Sequence, residues 1–107
     1  MGARSMKRYD TLDELVVALC KDFSRRERLI SNPATSHRTK VELKYMNYKI
    51  GEAAREVVGD DFLTYVREIG EAIGYASSSV GEVSERTYKL KKAEVKANIA
   101  KRLHLTD

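Results

Sequence analysis

Few residues of this 107-residue chain have the type and spacing to carry a reaction. Cys20 is the single cysteine, so no internal disulfide forms. Its place, one residue after Leu19 and three before Phe23, marks a small core hydrophobe rather than a reactive thiol. His37 and His104 lie far apart, and neither has a partner cysteine at zinc-ligand spacing, so no structural metal site is expected. Glu52 and Glu56, one helical turn apart, have the spacing to chelate a cation, but Lys49 and Arg55 stand beside them to match their charge. No Ser/His/Asp or Cys/His arrangement and no glycine-rich phosphate loop is evident. The expectation is a protein with no enzymatic activity and no cofactor, whose chemistry is that of binding a macromolecule.

The charged groups point the same way. The net charge is only +4, but it is unevenly placed. Residues 25–49 hold seven basic and two acidic side chains, and residues 84–107 hold seven and three. Between them, residues 50–83 hold two basic and seven acidic ones. Basic helices can track phosphates or simply form a solvated surface.

The elements that must position these groups read as helices throughout. Thr11-Leu12-Asp13-Glu14 is a capping box, and Leu12, Leu15, Val16, Leu19 and Phe23 follow at helical spacing, predicting a helix to about Ser31. Asn32-Pro33 interrupts it. A second helix is predicted over 36–58 and stops at Gly59; a third carries Phe62, Val66, Ile69 and Ile73 and closes at Gly74. Residues 77–103 form one long helix, or a short one and a long one. Tyr45 and Tyr48 flank the apolar stripe of the second helix and read as boundary packing.

With 34% charged residues, one proline and no tryptophan, the chain reads as an all-α single domain over residues 1–107. A small bundle of four to five helices is expected, with residues 1–10 disordered. A core this small is marginal alone, which favours a homodimer. No apolar run suits a membrane span, residues 1–8 lack the apolar stretch of a signal peptide, and the lone cysteine suits a reducing compartment. The expected location is cytoplasmic.

Residues 66–85 fit a helix-turn-helix in the C-terminal half. Ile69 and Ile73 supply one inner face, Gly70 the small crossing residue, Gly74 the turn, and Tyr75, Val80 and Val83 the closing contacts. Ser77 and Ser78 then open the recognition helix, where short hydroxyl side chains reach phosphates or base edges. Ordinary helix periodicity around a glycine turn gives the same pattern. Glu68, Glu71, Glu82 and Glu85 would repel phosphates unless they face away.

Downstream, Ser84-Glu85-Arg86-Thr87-Tyr88-Lys89-Leu90-Lys91-Lys92 leads into Ile99-Ala100-Lys101-Arg102-Leu103. This region is similar to the C-terminal region of ArpU-like and RinA-like phage transcriptional regulators, over about the last quarter of the chain. The resemblance implies a helix-turn-helix related to the promoter-reading domain of sigma factors, double-stranded DNA as partner, and Ser84, Arg86, Thr87, Lys89 and Lys92 as contacts. Lys96 lies on the same basic helix. Residues 74–83 are too many for the usual turn of such a motif, so recognition starts either near Ser77 or at Ser84. The expected function is that of a DNA-binding transcriptional regulator using a helix-turn-helix and a basic C-terminal helix. The rival is a small helical protein-protein interaction module, a phage-type inhibitor or adaptor, using Tyr45, Tyr48, Tyr65 and the acidic central segment.

Overall fold

The computed structural model describes residues 11–105, and the expected disorder of residues 1–10 falls outside them. Helix α1 (Leu12–Lys21) starts at the Thr11 capping box: the Glu14 amide donates to Thr11 Oγ1 at 3.1 Å, and the Thr11 amide to Glu14 Oε1 at 3.3 Å. After Asp22 alone the chain re-enters helix as α2 (Phe23–Ser31). Arg26 secures this bend by donating to the Leu19 carbonyl at 2.5 Å and to Asn47 Oδ1 at 2.6 Å. Ser36 caps α3 (His37–Val58), which stops at Gly59, where φ is +63°, a conformation glycine adopts without steric cost. A 3-10 turn over Gly59–Asp61 leads into α4 (Phe62–Gly70), and Ser84 caps α5 (Glu85–Arg102).

The core lies where α1, α3, α4 and α5 meet, around Val16, Ile50, Val66, Ile69, Val95 and Ile99. Each such aliphatic side chain contributes roughly 1.5–3 kcal/mol on full burial. α4 crosses α1 at Gly70, where a Cβ would stand 2.6 Å from the Lys21 backbone. Among the described residues no helix is long and apolar enough to cross a membrane.

The expected bundle of four to five helices is corrected, because among the described residues the helical stretches group into three units. α1 and α2 are the arms of one bent helix, α4 follows α3 through the 3-10 turn with no loop between, and α5 stands apart as a straight helix. The helix-turn-helix frame with recognition near Ser77 is overturned too, whereas α5 does open at Ser84. No recognition helix opens at Ser77 and no short helix fills 77–83; a 3-10 turn at Tyr75–Ser77 leads into non-helical chain up to Ser84. The reason is Glu68. Its buried carboxylate accepts from Ser78 Oγ at 2.6 Å and from the Ser79 amide at 2.6 Å, groups that a helix start would have turned elsewhere. Gly74 is extended rather than left-handed, and Ala72 supplies the left-handed residue after α4. The Gly70 crossing is made with α1, not with a recognition helix.

Candidate nucleic-acid interface

Most of the side chains expected to contact DNA are bonded to other groups of the protein. Ser84 Oγ accepts from the Thr87 amide at 3.1 Å and lies 3.0 Å from Thr87 Oγ1, so both hydroxyls serve the helix cap. Ser78 is bound to Glu68. Lys89 pairs with Glu85 at 2.9 Å, and Lys96 reaches across to Asp13 on α1 at 2.8 Å. Lys92 turns inward, donating to the Ile73 carbonyl at 2.7 Å with its ammonium 4.9 Å from the centre of the Tyr88 ring. Burial, with Lys96 nearby, draws its pKa below the ordinary lysine value. Only Ser77 and Arg86 of the expected set are exposed and make no side-chain bond with a described residue.

Glu68 explains why Ser78 turns in. Tyr88 donates to Glu68 Oε1 at 2.7 Å and its hydroxyl lies 3.1 Å from the Ile73 carbonyl, so α4, α5 and the intervening loop meet at one carboxylate. Burial alone would raise the Glu68 carboxyl, but the donors Ser78, Ser79 and Tyr88, with Arg67 beside them, hold it below the usual carboxylate range. Burial and the same hydrogen bond push Tyr88 up to about 12. These groups stitch the fold together. Cys20 is likewise buried and inert, its thiol pushed up to about 12 by burial against the pull of Arg26 and Lys96.

Arg86 and Lys101 of α5 are exposed and pair with no described residue, and further free cations lie elsewhere. On the α2–α3 hairpin Arg25, Arg28, Arg38 and Lys44 are exposed, with Lys40 and Lys49 half-buried. Arg25, Arg28, Lys40 and Lys44 form no ion pair with any described residue, and Arg38 only a loose one with Glu42 at 3.8 Å. Surface pairs of that kind are worth little. Arg25 and Arg28 share a face of α2 at i, i+3 spacing. On α3, Val41, Tyr45 and Tyr48 recur at four- and three-residue steps, and the two tyrosines are 63% and 62% exposed. Lys49 lies 5.6 Å from the Tyr45 ring centre, and Lys44 and Tyr48 line a groove with Glu27, Ile30 and Asn47.

The hairpin holds these groups at fixed spacing because buried Asn47 fastens α2 to α3. Its amide donates to the Phe23 carbonyl at 3.1 Å and to Glu27 Oε2 at 2.7 Å while its oxygen accepts from Arg26. No protein-family model, curated protein or solved structure matches this chain. Among the described residues, no three His, Cys, Asp or Glu side chains are grouped to hold a metal ion.

The hairpin is visible in sequence as the more basic segment, but the motif pattern directs attention to the other one. Tyr45 and Tyr48, expected as boundary packing, stand in solvent, whereas Tyr65, expected with them on an interaction surface, is 2% exposed and belongs to the core.

Proposed function

We propose that the protein binds nucleic acid through its phosphate backbone, with the α2–α3 hairpin as the contact surface and Arg86 at the start of α5 as an additional contact. Duplex DNA remains a ligand, and the surface moves from the C-terminal helix to the hairpin. One observation carries this: the cations of α5 are largely spent on Glu85, Glu94, Asp13, Glu56 and the Ile73 carbonyl, while those of the hairpin are largely unpaired. An unpaired, solvated cation can displace condensed counterions from a phosphate without first breaking a bond. Such contacts supply affinity and orientation rather than base identity.

The test is anisotropy titration of a labelled duplex at two salt concentrations. The triple variant Arg25→Ala, Arg28→Ala, Lys44→Ala is expected to bind more weakly and to lower the log–log salt slope by about 2–3, near 0.9 for each phosphate left without its cation. Lys89→Ala with Lys96→Ala should leave the slope nearly unchanged. A folded wild-type protein that binds nothing at low salt refutes the proposal.

A protein-interaction module, including self-association as a homodimer, is favoured by a different feature. A groove between α1 and α5 is lined by Leu12, Val16, Ala93, Ala97 and Ala100, and Leu90 on α5 is 55% exposed. Sedimentation velocity over a concentration series tests self-association, with Ala97→Glu as the disrupting variant.

A further inference from the structure

We infer that the hairpin prefers single-stranded to double-stranded nucleic acid, with Tyr45 and Tyr48 stacking on unpaired bases while the neighbouring cations hold the phosphates. This preference rests on the backbone binding proposed for the same surface. Elsewhere in the fold tyrosines are put to structural use: Tyr65 and Tyr88 are buried with ring centres 5.8 Å apart, and the Tyr75 hydroxyl donates to the Val83 carbonyl at 2.8 Å. Tyr45 and Tyr48 differ from all three. They stand on one face of α3, well exposed, and neither hydroxyl bonds a described residue. Their Cα atoms are offset by about 4.5 Å along the helix axis, so two rings are offered close together on a rigid element.

The surroundings select the occupant. Lys49 lies 5.6 Å from the Tyr45 ring centre and Lys44 lines a groove with Tyr48, so the ligand that complements this surface carries negative charge and flat π faces together. A single strand offers both. In a duplex the base faces are already stacked on one another, and only the phosphates remain for the cations. Base–aromatic stacking is tolerant of sequence, so no particular base order is required of the strand.

The experiment compares a labelled oligothymidine with a labelled duplex of the same length, by anisotropy at two salt concentrations. The single strand is expected to bind about tenfold or more tightly. Tyr45→Ala with Tyr48→Ala should weaken single-strand binding by about tenfold or more and leave the duplex within about twofold. Tyr45→Phe with Tyr48→Phe should retain the preference, because the rings remain. Arg25→Ala with Arg28→Ala and Lys44→Ala should weaken both ligands. Circular dichroism checks that each variant is folded. Equal or tighter duplex binding, or equal weakening on both ligands in the alanine variant, overturns the preference while leaving backbone binding intact. No binding to either ligand at low salt removes backbone binding and this inference together.

Discussion

Replacing Gly70 with alanine tests the α1–α4 crossing directly. The added methyl would sit 2.6 Å from both the Cα and N of Lys21 and 2.8 Å from the Cys20 carbonyl carbon, all backbone atoms that cannot rotate aside. Carbon atoms pack favourably at about 3.5–4.0 Å, so the two helices must separate by roughly 1 Å. Val16, Cys20, Val66 and Ile69, buried in the shared core of these helices, would then pack less closely. Overpacking of this kind costs about 1–3 kcal/mol, and because Gly70 is the last residue of α4 the helix-propensity gain from alanine, about 1 kcal/mol in a helix interior, is only partly recovered. The expected net destabilisation is about 1–2 kcal/mol, or a fall in Tm of about 5–15 °C for a domain of this size. Gly51→Ala is the control. It lies inside α3, where a Cβ would meet the Phe62 ring edge at 3.4 Å, an ordinary contact, so a gain of about 0.5–1 kcal/mol is expected. Thermal and urea denaturation followed by circular dichroism would report both. A Gly70→Ala protein as stable as wild type would show that α1 and α4 do not cross in backbone contact and would refute the packing reasoning.

Glu68 and Ala72 provide two further tests. Glu68→Gln turns an amide NH₂ toward donors that now meet a carboxylate, and each donor left unpaired costs about 1–3 kcal/mol, read as a lower urea midpoint at neutral pH. Because the folded-state pKa of Glu68 is depressed, its stabilisation is fully present above the unfolded value of about 4.3 and is lost as pH falls through the folded value. The wild type should therefore lose stability with acid more steeply than Glu68→Gln, and parallel acid limbs would contradict the ionised network. Ala72 holds φ at +56° in the cap after α4, where the Ile73 amide donates to the Glu68 carbonyl at 2.9 Å. Glycine suits that position, so Ala72→Gly should raise stability by about 0.5–1 kcal/mol, and a lower melting temperature would contradict the cap assignment.

Sequence alone determined the features that depend on neighbours a few residues apart. Thr11 and Ser36 cap helices because a short hydroxyl side chain reaches an amide three residues on, and Gly59 ends α3 because it accepts a positive φ. Gly70 is recognisable as a site of close helix approach from its place in an apolar pattern, but its partner is not, since α1 lies some fifty residues earlier in the chain. Tertiary structure decided which charges are free and which aromatics are exposed. Lys92 and Lys44 look alike in sequence, yet one is turned toward the Ile73 carbonyl by the packing of α5 on the loop and the other stays in solvent. Glu68 resembles any surface glutamate until Ser78, Ser79 and Tyr88 close over it, and that closure leaves no recognition helix at Ser77. Tyr65 and Tyr45 are separated by the same kind of fact, since burial depends on which elements pack over a residue and no local spacing contains that information.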